Sequence, residues 1–147
     1  MNVCDLITMA SNSNLYAGAV LDFRPEINGL ENEIKRLELN KKAGCRFIVT
    51  QSVYDMNTAA EIASGVRHLK LPVILGILPL LSCKHAWFLD EKVMGIAVPA
   101  SLIKRMESAD SPAKAGIQNA RDMLALARKM FSGTCIMPPF NSMFKFF

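Results

Sequence analysis

The chain of 147 residues lacks most features that announce a common function. Aromatic residues make up only 7% of it, and the net charge of +4 is spread over Lys41-Lys42, Arg67, Lys70 and Lys104-Arg105. With no basic run interleaved with aromatics, no nucleic-acid partner is expected. The four cysteines, Cys4, Cys45, Cys83 and Cys135, stand singly, with neither metal-ligand spacing nor a disulfide framework, and read as buried reduced thiols. The longest apolar run, Leu71 to Leu81, holds two prolines and a glycine and falls far short of the ~20 residues of a membrane span. Met1-Asn2-Val3-Cys4-Asp5 has no basic segment leading into an apolar one, so no secretion signal is read and a cytoplasmic setting is expected. No phosphate-binding glycine loop, zinc motif, nucleophile elbow or serine triad occurs.

What the chain does have is 51% hydrophobic content, enough for a real core in one domain covering residues 1–147. The most informative stretch is Arg46-Phe47-Ile48-Val49-Thr50-Gln51-Ser52-Val53-Tyr54-Asp55, a β-favouring apolar run that turns polar at Gln51. Such a run reads as a strand buried on both faces in a parallel sheet. Around it, residues 15–21 read as an earlier strand after the turn cluster Ser11-Asn12-Ser13-Asn14, with the polar loop Asp22-Phe23-Arg24-Pro25-Glu26 at its end. Leu30, Ile34 and Leu37 mark a helix stopped by Gly44. Asp55 or Asn57 caps a helix to about Leu69 with Ala60, Ala63, Val66 and Arg67 facing inward. Residues 73–78 form a third strand, and Ser82 caps a helix over 83–91. A short helix lies at 101–107 and a long one at 113–131, with Ile117, Ala120, Leu124, Ala127 and Phe131 on its stripe; residues 134–137 form a last strand before Pro138-Pro139. This alternation predicts an α/β fold with a parallel sheet of (β/α)8 barrel type, of which four βα units make half. Two strand edges are then left to be covered by a partner, a second copy or further chain.

Ligands of such sheets sit beyond the carboxyl ends of the strands. Gln51 occupies one of these ends, either as a ligand contact or as a polar residue satisfied by its loop. Its carboxamide, donor and acceptor together, suits the edge of a heterocycle. Tyr54 lies on the same loop. Asp55 reads as a helix cap rather than an acid. Gly76 inside a strand marks close approach by backbone or ligand, or packing. His85 has no partner in any motif and reads as a helix-surface or supporting residue. Trp87-Phe88-Leu89 walls a pocket or seals core.

The tracts Ala43-Gly44-Cys45-Arg46-Phe47-Ile48-Val49-Thr50-Gln51-Ser52-Val53-Tyr54-Asp55 and Pro72-Val73-Ile74-Leu75-Gly76-Ile77-Leu78-Pro79-Leu80 resemble the methylenetetrahydrofolate reductase family. Gly95-Ile96-Ala97-Val98-Pro99 and Met137-Pro138-Pro139-Phe140 are closest to the reductase module that follows a homocysteine methyltransferase in some bacterial two-function proteins. The resemblance runs from about Leu15 to Phe140. It implies a flavin-dependent barrel that reduces 5,10-methylenetetrahydrofolate to 5-methyltetrahydrofolate with NAD(P)H, of which this chain is the second half. Gln51 then looks like the glutamine that bonds the pterin, with Tyr54, Phe88 and Leu89 on the substrate side. Glu33 matches an acidic residue holding the adenosine portion of FAD, and Asn40 stands where a flavin-contacting lysine is common. The family's general-acid glutamate and its Arg-Gly-Asp strand end have no counterpart here, so activity is expected only with a homo-oligomeric or second chain that completes the site. The alternatives are a non-catalytic folate or flavin binding module and a structural half barrel that oligomerises. The apolar tail Phe144-Lys145-Phe146-Phe147 reads as an interface.

Overall fold

A computed structural model describes residues 1–24 and 28–137. Pro25, Glu26 and the segment from Pro138 through the Phe144-Lys145-Phe146-Phe147 tail lie outside the described residues. The order of elements is α1 (Val3–Asn12), β1 (Gly18–Leu21), α2 (Leu30–Lys42), β2 (Phe47–Ser52), α3 (Met56–Val66), β3 (Val73–Ile77), α4 (Cys83–Lys92), α5 (Ala100–Glu107), α6 (Pro112–Met130) and β4 (Gly133–Ile136). The strands form one sheet in the order β1-β2-β3-β4, every neighbouring pair parallel. This is the α/β architecture of half a (β/α)8 barrel that the alternation of elements predicts.

Helix α1 is absent from the sequence expectation. Asn2 and Asp5 start it with reciprocal bonds, each side chain accepting from the other's backbone N–H at 3.0 and 2.8 Å. The apolar signal is weak because Val3, Leu6 and Met9 point outward and Ile7 alone is buried. Two other expectations shift by one residue. In α3 the buried face is Ala59, Ile62 and Val66, with Ala60 and Ala63 half-buried and Arg67 exposed. In α6 Met123 rather than Leu124 is buried. The cysteines also differ from the expectation of buried thiols: Cys45 is buried, Cys4 and Cys83 are partly so, and Cys135 is exposed. No helix among the described residues is long and apolar enough to cross a membrane.

Alternation along the strands divides the sheet into two faces. Ala19, Leu21, Ile48, Val73, Leu75 and Ile77 turn to the helices and pack with Leu37 of α2, Ile62 and Val66 of α3, and Ala120 and Met123 of α6. Each large aliphatic side chain buried there contributes roughly 2 kcal/mol by the apolar surface it removes from water. The other face carries Gly18, Val20, Phe47, Val49, Ile74 and Cys135, all exposed or half-buried. Val20 is 50% exposed, and the Tyr16 ring, 77% exposed, stacks on Phe47 at 6.4 Å. Among the described residues β1 pairs only with β2, and β4 only with β3, so both edges are open as expected.

Strand β2 carries an irregularity. Val49 pairs with Ile74 but Ser52 pairs with Gly76, so three steps of β2 span two of β3, a bulge at Thr50-Gln51. The Thr50 hydroxyl accepts from Gly76 N–H at 2.9 Å and donates to the Gln51 carbonyl at 2.7 Å. A Cβ on Gly76 would sit 2.5 Å from the Thr50 carbonyl oxygen and 2.9 Å from that of Gln51. The glycine is there because another backbone passes close by. A second core, made by Tyr54, Leu80, Ala86, Leu89, Ile96, Val98, Leu102, Ile103 and Met106, sits beyond the carboxyl ends of the strands.

Gly76→Ala forces backbone against backbone and should destabilise the fold by roughly 3 kcal/mol, read from the midpoint of urea unfolding. Gly133→Ala, whose Cβ would meet nothing within 4 Å, serves as the tolerated control. Equal midpoints for the two variants would remove the bulge from its structural role.

Candidate functional site

Beyond the carboxyl ends of β1 and β2 the chain encloses a cleft of about 510 Å³. Phe23 and Arg24 come from the end of β1, Ser52 to Asp55 from the end of β2, Thr58 from α3, Trp87 and Asp90 from α4, and Ala97 to Ala100 and Ile103 from α5 and the loop before it. The walls are set by local bonds. Asp55 caps α3 by accepting from Thr58 N–H at 2.8 Å and from its hydroxyl at 3.0 Å, as the sequence reading expects. Asp90 accepts from Val98 N–H at 2.9 Å, closing the loop after α4 onto the helix. Asn119 of α6 donates to the Tyr54 carbonyl at 3.0 Å, fixing the β2 loop from outside. The Arg24 guanidinium is paired with Asp22 at 3.0 Å. Each charged group lining the cleft that comes from β1, β2 or α4 thus has a partner in the protein.

Tyr54 and Ser52, each 6% exposed, line the same cleft, and their hydroxyls are buried without a hydrogen-bond partner among the described residues. Burial pushes the Tyr54 phenol well above its usual range; the nearby Ser52 hydroxyl opposes that rise without reaching hydrogen-bonding geometry. Tyr54 is therefore a neutral donor at any ordinary pH and not a base. The Cys45 thiol is likewise raised by burial and stays protonated.

Gln51 lies apart from this cleft, half-buried at the end of β2. Its side chain leans on the loop between α4 and α5, where a Cβ at Gly95 would lie 3.0 Å from Gln51 Nε2 and 3.2 Å from Cδ. The carboxamide makes no hydrogen bond among the described residues. Leu89 is 6% exposed within the second core, and Phe88, 56% exposed, does not line the cleft. Glu33 accepts from Asp22 N–H at 3.2 Å and pairs with Arg36 at 2.5 Å, tying α2 to the end of β1. Asn40 lies in the last turns of α2, 1% exposed, with its Oδ1 facing the Cys4 thiol of α1 at 3.6 Å. Since α2 leaves the carboxyl end of β1 and runs back along the sheet, Asn40 stands at the opposite end from the cleft. The structure thus puts Tyr54 in the cleft, Gln51 beside the loop that roofs it, and Phe88, Glu33 and Asn40 elsewhere.

A model of the methylenetetrahydrofolate reductase family matches residues 13–134. The chain belongs to this family. Among solved structures it is similar to an uncharacterized protein from Clostridium thermocellum that binds two copies of 5-methyl-5,6,7,8-tetrahydrofolic acid. The TM-score is 0.68 at 18% identity, covering 99% of this chain and 56% of that one. The chain therefore spans just over half the length of that relative, and the likeness carries the fold. No curated protein matches the chain significantly.

Sequence reasoning passed over the contributions of Arg24, Asp90 and Gly95. Asp90 carries no periodic signal, and its partner, the Val98 N–H, lies eight residues on. Gly95, with φ at +89°, had a local signal as a lone glycine between Met94 and Ile96.

His85 of α4 is half-buried with Nδ1 unpartnered among the described residues, and burial lowers its pKa. The unfolded chain then takes up the His85 proton before the folded one as pH falls below about 6.5. Stability should drop from that point until the folded histidine also protonates. Urea midpoints at pH 7.5 and 5.5 test this, and His85→Gln should show the smaller fall.

Proposed function

We propose that this chain is the folate-binding part of a methylenetetrahydrofolate reductase, with Gln51 as the group that reads the pterin edge. The observation that carries the reading is a carboxamide without a hydrogen bond among the described residues, at the carboxyl end of a parallel strand, in a chain of this family. A pterin presents donors and acceptors on one edge, and a carboxamide matches that alternation with a single side chain. Tyr54 supports the same loop, its ring packed in the second core and its carbonyl held by Asn119.

The reduction itself, from 5,10-methylenetetrahydrofolate to 5-methyltetrahydrofolate with NAD(P)H, needs a flavin to relay electrons and an acid to protonate the substrate. The residues present do not fit the flavin. Glu33 is engaged by Asp22 and Arg36, and Asn40 is enclosed between α1 and α2. FAD and the acid are therefore assigned to strands that complete the barrel, brought by a second copy, another chain or further polypeptide. The open edges of β1 and β4 are where those strands join, and the exposed face bearing Val20 and Phe47 is the surface they cover.

A binding module without turnover is the second reading. It is favoured by the carboxylates Asp55 and Asp90, each of which accepts from a backbone N–H rather than standing free as an acid. Turnover with NAD(P)H and FAD once the barrel is completed separates the two.

Titration of the chain with 5-methyltetrahydrofolate, followed by calorimetry, tests the shared premise. Gln51→Ala should weaken binding roughly tenfold while leaving the urea midpoint unchanged. Equal affinity in both proteins would remove Gln51 from the site.

A further inference from the structure

The loop from Val93 to Pro99 does more than connect α4 to α5. Its middle is pressed onto the end of β2: Gly95 and Ile96 are buried, and Gly95 takes a φ of +89°. At that point its α-carbon faces the Gln51 side chain so closely that an added Cβ would stand 3.0 Å from Nε2, 3.2 Å from Cδ and 3.3 Å from Cγ. Three successive atoms of one side chain therefore lie along the backbone of this loop. On its far side the loop is anchored, with Val98 N–H donating to Asp90 Oδ1 at 2.9 Å and Ile96 and Val98 seated in the second core. Below, the bulge held by Thr50 and Gly76 fixes where the Gln51 backbone begins.

We propose that Gly95 is the positioning residue for Gln51, setting where the carboxamide points and hence how it meets its ligand. The inference rests on the reading of Gln51 as the pterin contact for its functional consequence, but the positioning stands on the contact alone. The bulge restrains only the backbone of Gln51, and a glutamine side chain has three rotatable bonds beyond it. Without the loop it has many rotamers to lose when a ligand binds. With the loop in place, a flexible side chain is held part-way to its bound conformation, which reduces the ordering cost of binding. A glycine is required because the φ is one that side chains rarely adopt and because the space beyond its α-carbon is already taken by the glutamine.

The test uses the full chain labelled with nitrogen-15. The Nε2 amide signals of Gln51 are assigned by their disappearance in Gln51→Ala and then followed in Gly95→Ala. The expected result is a clear displacement of the pair, with the backbone signals of β1 and β3 unmoved, and an affinity for 5-methyltetrahydrofolate lowered roughly tenfold. Asp90→Ala, which frees the loop anchor without adding an atom near Gln51, is the second variant, and it should displace the same pair even if Gly95→Ala fails to fold. Gln51 amide signals unmoved in both variants would overturn the proposal. Displaced signals with unchanged folate affinity would uphold the positioning and overturn instead the reading of Gln51 as the pterin contact.

Discussion

The bond from Gly76 N–H to the Thr50 hydroxyl is the constraint on which the carboxyl end of the sheet depends. In a regular parallel ladder a β3 amide donates to a β2 carbonyl. The extra residue in β2 moves those carbonyls out of line, and a buried amide left unpaired would cost about 1–3 kcal/mol. A threonine side chain supplies the missing acceptor. The arrangement works only if β3 has no side chain at that point, since the carbonyls of Thr50 and Gln51 cross over it. Threonine and glycine on two strands are thus one device. The ladder resumes immediately, with Val53 N–H donating to the Gly76 carbonyl at 3.1 Å.

From that device the site follows. Past the bulge at Thr50-Gln51 the chain turns with Ser52, Val53 and Tyr54 buried, while the Gln51 carboxamide makes no hydrogen bond among the described residues. The Tyr54 ring then becomes the seed of the second core, in which α4 and α5 pack over the strand ends. Its buried, unpartnered hydroxyl is a cost, and the burial of its aromatic ring offsets it. That core carries the loop that presses Gly95 against Gln51. Two hydrophobic clusters therefore have separate tasks: the one between sheet and helices holds the fold, and the one beyond the strand ends holds the loop beside Gln51.

How much of this was legible in the sequence depends on the range of the interaction. The strands Phe47–Ser52 and Val73–Ile77, their parallel order, and the caps at Asp55 and Ser82 were all readable, because each is written within a few adjacent residues. Gly76 was readable as a close approach, though not what approached it. Helix α1 was missed because its apolar residues face outward and blur the helical period. Gly95 was readable as a lone glycine, but neither its partner nor that of Asp90 was, because these lie 44 and 8 residues away, Gln51 on a strand and Val98 on a loop. Asn40 is a different case: the resemblance sets it near a cofactor, while the direction of α2 puts it at the end of the sheet away from the cleft, with its side chain buried.

The exposed face of the sheet bears on what the chain is built to do. An isolated sheet of an α/β protein is covered on both faces, because parallel strands are apolar on both. Here Val20 and Phe47 present apolar surface with no helix over it among the described residues, and α1, packed against α2, turns Val3, Leu6 and Met9 outward. These residues have neither the polarity of a solvated surface nor the charges that protect an open strand edge. Both the face and the edge are those of a barrel interior and wall seen without their other half. Gln51 sits where that interior opens, so closing the barrel would bring further side chains around the carboxamide and remove it from bulk water. The stability of the sheet would then rise, since the apolar contacts that cover Val20 and Phe47 would also wall in Gln51.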